Sequence, residues 1–139
     1  MYPKKSFLLS SSIFLSINTN ANEQKIFVQG TPLGVLDNTV DIDFGYSTSN
    51  LDETTTGFGF RFHFDSSVLK FKDVLYVLEK DLLVDVVGPF DDDENHDNDE
   101  STDKYYSVGW VSLYGNWPNE ELPAKLLSVQ FLVDLGDDE

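Results

Sequence analysis

Phenylalanines at every second position mark the stretch around which the chain is organised. Four of them recur between residues 57 and 64, and glycine, arginine or histidine stands between them. Successive side chains of a β-strand point to opposite faces, so this spacing places all four rings on one face of a strand. The rings are Phe58, Phe60, Phe62 and Phe64, and the residues between them are Gly59, Arg61 and His63. We therefore predict a strand with one buried face, and we expect His63 to face solvent.

A turn and a second strand are predicted directly after this stretch. Asp65, Ser66 and Ser67 favour a turn, because their short polar side chains bond to nearby backbone amides. From residue 68 onwards apolar residues alternate with lysines, and Leu69 and Phe71 share one face. The pattern predicts an antiparallel hairpin with one apolar face, and that face needs a second layer of structure to cover it.

Five other segments have strand character, and glycine, proline, asparagine and aspartate separate them. They are residues 25–30, 39–46, 82–87, 105–114 and 126–135. We expect the segment 82–87 to end before Gly88-Pro89. No long helix or internal repeat is evident. Short, regularly spaced strands of this kind predict one all-β domain, an antiparallel β-sandwich, over residues 22–139. Because the chain stops just after a turn signal at residues 136–139, we expect the sandwich to lack its last strand.

The first 21 residues show the three regions of a secretory signal peptide. Lys4 and Lys5 precede an apolar stretch diluted by serines, and small residues end at Ala21, where a signal peptidase would cut. The stretch is too short to span a bilayer, which takes about 20 apolar residues. The alternative is a disordered or helical tail of a cytosolic protein. We predict a signal peptide at residues 1–21, and hence a secreted, extracellular or cell-surface domain that does not insert into a membrane after cleavage.

Charge and cysteine content narrow the range of partners. The chain has a formal net charge of −16 and contains no cysteine. A strong negative charge repels nucleic acid and anionic membranes, so we expect neither as a partner. Without cysteine there is no disulfide framework and no lipid-anchor cysteine. The composition suits an exported protein whose acidic groups are partly neutralised by a metal ion or by salt. We expect the domain to be monomeric.

Residues 91–103 form the most acidic segment, with eight acidic residues among thirteen. Carboxylate and amide oxygens stand on alternate residues there, and calcium takes six to eight oxygen ligands. Compared with the EF-hand pattern, Asn98 replaces a glycine and Lys104 replaces a glutamate. The alternative is a solvated loop held open by its own repulsion. The predicted calcium ligands are Asp91, Asp93, Asn95, Asp97, Asp99 and Asp103.

A second candidate site consists of aromatic residues that follow the acidic segment. Tyr105, Tyr114 and Trp117 are predicted to stack on a sugar ligand, and Trp117, next to a proline in a predicted turn, is expected to be exposed. The alternative is that the aromatic residues of this region belong to the core, because Tyr106 and Trp110 alternate as the core residues of a strand do.

No motif of the chain indicates an enzyme. Glu120 and Glu121 are adjacent on an extended segment, so their side chains point apart, whereas catalytic carboxylates must converge on a substrate. The chain contains no Gly-x-Ser-x-Gly motif and no phosphate-binding glycine loop. His96, among acidic residues, is by itself a weak signal for a transition-metal site. We therefore expect a protein without catalytic activity.

The central segment resembles the middle of a cohesin domain. Residues 57–60 and 64–71, Gly-Phe-Gly-Phe and Phe-Asp-Ser-Ser-Val-Leu-Lys-Phe, resemble a strand of that family and its aromatic-Asp-x-Ser-x-Leu turn. The resemblance extends to residues 24–46 and 122–135. It implies a jelly-roll-like sandwich related to cellulose-binding modules, and a secreted, non-catalytic domain that binds a dockerin domain or a glycan. The acidic segment and the aromatic residues within 109–118 depart from the family pattern, so no dockerin-contact residue is transferred.

These observations lead to two hypotheses about function. The first is an extracellular binding module of a larger secreted or surface protein, which binds a protein partner or a polysaccharide through one face of the sandwich. The second is a structural or adhesion domain of a bacterial surface protein, which calcium stiffens through the acidic segment. The two hypotheses differ in how ligand affinity and resistance to proteolysis respond to a chelator.

Overall fold

The computed structural model describes residues 9–13, 23–33, 37–49, 54–78 and 83–136. These residues form ten β-strands. They include no helix of the length and apolar character needed to cross a membrane. The strands are β1 (Leu9–Ile13), β2 (Gln24–Gly30), β3 (Thr39–Thr48), β4 (Thr54–Thr55), β5 (Gly57–Phe64), β6 (Leu69–Val77), β7 (Leu83–Asp91), β8 (Lys104–Val111), β9 (Trp117–Pro118) and β10 (Ala124–Val133).

Two sheets of four strands each make up the domain. The front sheet has the strand order β1-β5-β8-β7, and the back sheet has the order β2-β3-β10-β6. A small third sheet pairs β4 with β9. Every pair of neighbouring strands is antiparallel. The predicted all-β class and antiparallel β-sandwich are therefore confirmed, whereas the jelly-roll-like topology stays a prediction.

The core lies between the inner faces of the two sheets. All four phenylalanines of β5 are buried, and the most exposed of them, Phe58, is only 8% exposed. Phe44 of β3 packs against Phe60 and Phe62, with ring centroids 5.2 and 5.1 Å apart. Because β3 belongs to the back sheet, these contacts join the two sheets. The alternating pattern is confirmed as the core face of a strand, and each buried ring contributes about 1.5–3 kcal/mol.

The predicted hairpin of β5 and β6 is wrong, although its turn is present. The Asp65 carboxylate accepts a hydrogen bond from the Ser67 N–H at 2.9 Å. The main-chain carbonyl of Asp65 accepts one from the Leu69 N–H, also at 2.9 Å. Beyond the turn the chain crosses to the back sheet, where β6 pairs with β10. Both edges of β5 are occupied by β1 and β8. The crossing also lets the apolar side of β6 cover the phenylalanines instead of lying beside them.

Strand β7 is longer than its sequence pattern predicts. It continues through Gly88 and Pro89 to Asp91, where a break was expected. Its register against β8 shifts between Val87 and Phe90, and β7 is an edge strand of the front sheet. Proline has no N–H to donate, and an edge strand with an irregular register accommodates it without losing a ladder hydrogen bond.

Strand β1 lies within the predicted signal peptide. Residues 9–13 pair with β5, and the register places Leu9 opposite Phe64 and Ile13 opposite Phe60. The remaining residues of the segment 1–21 lie outside the described residues, as do residues 137–139. The signal peptide and the missing last strand therefore stay predictions.

Candidate functional site

The acidic segment folds back onto the front sheet. We call residues 92–103, which join β7 to β8, the acidic loop. The Asp92 N–H donates to the Asp103 carbonyl at 2.9 Å, and the Asp103 N–H donates to the Phe64 carbonyl, at the end of β5, at 3.1 Å. Asn95 and Asn98 have φ angles of 49° and 58° in the turns of the loop, a conformation that asparagine tolerates better than most residues. The loop therefore covers the end of β5 rather than extending into solvent.

His63 lies beneath the acidic loop and is completely buried. Its Nδ1 is 3.0 Å from Asp92 Oδ2 and 3.6 Å from Asp97 Oδ2. The side chains of the three residues are exposed by 0%, 0% and 1%. The expectation that His63 faces solvent is wrong, because the loop covers the outer face of β5 at this position. We call these three residues the His63 cluster.

Two histidines hold the carboxylate of Asp92. Its Oδ1 accepts a hydrogen bond from the His96 N–H at 3.0 Å and lies 2.7 Å from His96 Nδ1, while its Oδ2 faces His63. Burial raises the pKa of the Asp92 carboxyl, but the hydrogen bonds from His96 and the interaction with His63 outweigh burial and lower the pKa below its usual value. Asp92 is therefore ionised at neutral pH.

Asp97 is fixed by hydrogen bonds from within the acidic loop. The Thr102 hydroxyl donates to Asp97 Oδ2 at 2.8 Å, and the Asp99 N–H donates to Asp97 Oδ1 at 3.1 Å. These bonds hold the carboxylate with its Oδ2 towards His63. The loop thus presents two buried carboxylates to one imidazole, and none of the three side chains relies on solvent to stay in place.

The other predicted calcium ligands are engaged elsewhere. Asp91 pairs with Lys104, Asp99 accepts from the Ser101 N–H and hydroxyl, and Asp103 accepts from the Ser66 N–H and hydroxyl. Asp93 is exposed, and the side-chain oxygen of Asn95 is buried with no hydrogen-bond partner among the described residues. Of the predicted set Asp91, Asp93, Asn95, Asp97, Asp99 and Asp103, the structure places only Asp97 in the His63 cluster. Among the described residues, that cluster is the one group of histidine and acidic side chains whose ligand atoms lie within 4.8 Å of one another.

Sequence reasoning missed two of the three residues of the cluster. The strand pattern correctly placed His63 opposite the phenylalanines, but it contained no sign that a loop covers that side. No local spacing relates residue 63 to residues 92 and 97, because their contact depends on β5, β8 and β7 lying side by side. The one available signal was a histidine on a polar strand face in a chain with a concentrated acidic segment elsewhere.

The aromatic residues predicted to bind a sugar fall into three different environments. Trp117 is completely buried, stacked on Phe58 at a centroid distance of 5.3 Å and edge-on to Tyr46 at 4.6 Å. The expectation that Trp117 is exposed is therefore wrong. Tyr114 is 80% exposed in a turn, and Tyr105 is half-buried on the outer face of β8. A ligand role for Tyr105 and Tyr114 stays a prediction.

An open groove of about 850 Å³ runs across the outer face of the front sheet. Glycines at positions 57, 59 and 109 line it, so the backbone of β5 and β8 is accessible there. We call it the outer groove. Among the side chains that line it are those of Arg61, Asp85, Phe90, Tyr105 and Ser107.

Tyr105 connects the outer groove with the His63 cluster. Its ring stacks on His63 at a centroid distance of 5.1 Å and an angle of 28°. The Arg61 guanidinium lies 5.0 Å from the centre of the same ring, and the Phe90 ring lies 5.4 Å away. The buried cluster therefore supports the aromatic side chain at one end of the groove.

Comparisons with known proteins return no match. No protein-family model, no curated protein and no solved structure matches the chain. The resemblance of the central segment to cohesin domains and cellulose-binding modules therefore stays a prediction.

We expect the substitution Ser66→Ala to raise the pKa of the Asp103 carboxyl towards its usual value. Burial raises this pKa, but the Ser66 hydroxyl and N–H, which donate to Asp103 at 2.5 and 2.7 Å, outweigh burial and keep the pKa lowered. A carboxyl with a lowered pKa in the folded state stabilises the fold above its unfolded pKa, near 3.8, and this contribution disappears as the pH falls through the folded value.

The variant should accordingly be less stable than the wild type at pH 7, by less than about 1 kcal/mol because the site is exposed. The difference should vanish at acidic pH. An NMR titration of the Asp103 carboxyl measures the pKa directly. Ser67→Ala, which removes a hydroxyl bonded to Asp65 instead, is the control. An Asp103 pKa that is the same in the wild type and in Ser66→Ala would contradict the expectation.

Proposed function

We propose that the chain is a non-catalytic extracellular binding module that holds a polysaccharide in the outer groove. The observation that supports this proposal is the groove itself, which combines glycines, aromatic rings and polar side chains on one sheet face. Ligand sites are typically concave, with an apolar lining and a few polar groups that fix orientation. The predicted secretion of the domain is compatible with such a ligand.

The lining of the groove suits a sugar chain in two respects. Tyr105 and Phe90 offer aromatic rings on which the apolar face of a pyranose can pack, while Arg61, Asp85 and Ser107 offer donors and acceptors for hydroxyl groups. The glycines allow an extended chain to approach the strand backbone. Asp85 is the one carboxylate among the described residues of the lining, whereas glycoside hydrolysis uses two. This difference supports binding rather than hydrolysis.

Replacing Gly109 with valine should weaken polysaccharide binding about tenfold or more, the equivalent of roughly 1.4 kcal/mol. A Cβ built at Gly109 has the Phe58 carbonyl oxygen as its near neighbour at 3.8 Å, an ordinary contact, so the backbone leaves room for a β-carbon there. The valine then fills the floor of the groove. Isothermal titration calorimetry with a panel of soluble polysaccharides measures the effect. Tryptophan fluorescence is a poor reporter here, because Trp110 and Trp117 are both buried.

Gly45→Val is the matched control, since Gly45 lies on the back sheet and a Cβ there approaches the Ala124 carbonyl oxygen at 3.5 Å. It should leave the affinity unchanged. Equal affinities of wild type and Gly109→Val would contradict binding in the outer groove. A wild type that binds no polysaccharide of the panel would contradict the glycan ligand. A dockerin-like domain that binds the wild type but not Gly109→Val would assign the groove to a protein partner instead.

A second candidate function is that of a structural or adhesion domain stiffened by a cation. The observation that favours it is the His63 cluster, through which the acidic loop is joined to β5 by buried side chains. A cation at this position would connect β5 of the front sheet to a loop that is distant from it in sequence.

A further inference from the structure

We propose that His63, Asp92 and Asp97 form a binding site for a divalent transition-metal ion, with Zn²⁺ as its representative. The proposal extends the second candidate function by naming the ligands and the class of ion. It does not depend on the outer groove, so a failure of either proposal leaves the other standing.

The distances between the three ligand atoms fit one small cation. His63 Nδ1 is 3.0 Å from Asp92 Oδ2 and 3.6 Å from Asp97 Oδ2. Zinc binds histidine nitrogen and carboxylate oxygen at about 2.0–2.2 Å in tetrahedral geometry, which places neighbouring ligand atoms roughly 3.3–3.5 Å apart. The two observed separations lie on either side of that value, and each of the three residues offers a ligand atom within 4.8 Å of the other two. Side-chain movements on the order of 1 Å would bring all three atoms to bonding distance of one ion. Water can supply the fourth ligand, as it does in other sites with three protein ligands.

The negative charge of the two carboxylates in the cluster also favours the binding of a cation. The side chains of Asp92 and Asp97 are exposed by 0% and 1%, and the His63 imidazole lies 3.0 and 3.6 Å from them. The partly exposed His96 ring lies 2.7 Å from the other oxygen of Asp92. Burial of two carboxylates is costly unless positive charge compensates for it. Neutral imidazoles supply hydrogen bonds but no positive charge, and a His63 imidazolium would compensate for one carboxylate. A divalent ion compensates for both.

Hydrogen bonds from neighbouring groups hold two side chains of the cluster in place. Thr102 and the Asp99 N–H orient Asp97, and the His96 N–H orients Asp92. Hydrogen bonds of this kind to the ligating side chains are a regular feature of metal sites. The preorganisation means that binding an ion requires little rearrangement of the acidic loop.

Asn95 provides an independent observation in the same loop. Its N–H donates to the Asp92 carbonyl at 3.1 Å, and its side-chain oxygen is buried without a hydrogen-bond partner among the described residues. Buried acceptors without a partner are rare in folded proteins. The acidic loop therefore contains one buried acceptor whose partner is not among the described protein atoms.

The donor set decides the class of ion. Calcium and magnesium take oxygen ligands, whereas imidazole suits zinc, copper, nickel and iron. The calcium site predicted from the sequence used oxygen atoms of the acidic loop alone. The cluster in the structure includes a buried nitrogen from β5, so we expect zinc to bind more tightly than calcium.

The test uses the full chain after removal of metal with a chelator. Isothermal titration calorimetry with ZnCl₂ should show one saturable site, and a hundredfold excess over Kd should raise Tm by about 5–10 °C. Calcium at the same concentration should change Tm by much less. Substitution with Co²⁺ should give the visible absorption bands of tetrahedral nitrogen and oxygen coordination.

Asp97→Asn keeps the shape of the side chain and removes its charge, so it should abolish the zinc response and the Co²⁺ bands. Asp93→Asn changes an exposed residue of the same loop and is the matched control. A zinc response of equal size in both variants would overturn the proposal, since it would arise from the general acidity of the chain. Absence of saturable zinc binding by the wild type, or a calcium response larger than that of zinc, would also overturn it. If Asp97→Asn does not fold, the Co²⁺ spectrum of the wild type decides, and octahedral bands would count against the site.

Discussion

Replacing Phe44 with alanine should lower the free energy of unfolding by about 3–5 kcal/mol, a large share of the stability of a single domain. Phe44 is completely buried, and its ring contacts Phe60 and Phe62 across the space between the two sheets. Its removal costs the transfer free energy of the ring and leaves a cavity that the paired strands cannot close. Urea denaturation followed by circular dichroism measures the change.

The matched control is Phe27→Ala. Phe27 lies on β2, the neighbour of β3 in the back sheet, but its side chain is 50% exposed. The same substitution should therefore cost less than about 1 kcal/mol, because Phe27 is already largely in contact with water. Equal losses for the two variants would mean that Phe44 does not join the two sheets as described.

Replacing Asp92 with alanine should destabilise the protein by about 3 kcal/mol. The substitution leaves the buried imidazole of His63 without its 3.0 Å partner and removes the acceptor of the His96 N–H. Breaking a buried pair is costly because the remaining partner keeps its desolvation penalty. Urea denaturation in the presence of a chelator separates this cost from any contribution of a bound metal.

Asp93→Ala serves as the control for the effect of charge. Asp93 is the next residue in the chain and is exposed, so its removal should change stability by no more than about 0.5 kcal/mol. Exchange of the amide hydrogens of the acidic loop should be faster in Asp92→Ala than in the wild type, and unchanged in Asp93→Ala. Stability of Asp92→Ala within 0.5 kcal/mol of the wild type would contradict the buried interaction.

The sequence predicted single strands more reliably than the pairing between them. The phenylalanines of β5 and the apolar residues of β10 show alternation that depends on the local backbone alone. The hairpin of β5 and β6 was wrong because the turn at Asp65 and Ser67 is compatible with two continuations of the chain. One continuation stays in the same sheet, and the other crosses to the opposite sheet. Strands β5 and β6 each have an apolar face that must be covered. The crossing is favoured because it places these faces in opposite sheets, where they help to cover each other.

The candidate site was predicted only in part. Asp97 was among the predicted calcium ligands, but the residues it meets come from β5 and from the start of the loop. Trp117 was predicted in a turn, but it lies in the short strand β9, and its ring packs against Tyr46 and Phe58. A proline next to an aromatic residue indicates a turn, and it does not indicate which way the ring points.

The amino-acid sequence by itself determined the all-β class, the core face of β5 and the strongly acidic character of the chain. These properties follow from side-chain alternation and charge, which are local or additive. Only the tertiary structure decided that β6 crosses to the back sheet, that Trp117 is buried, and that His63 meets Asp92 and Asp97. Each of these depends on which strands become neighbours, and strand neighbours are selected by the burial of whole faces rather than by any short stretch of residues.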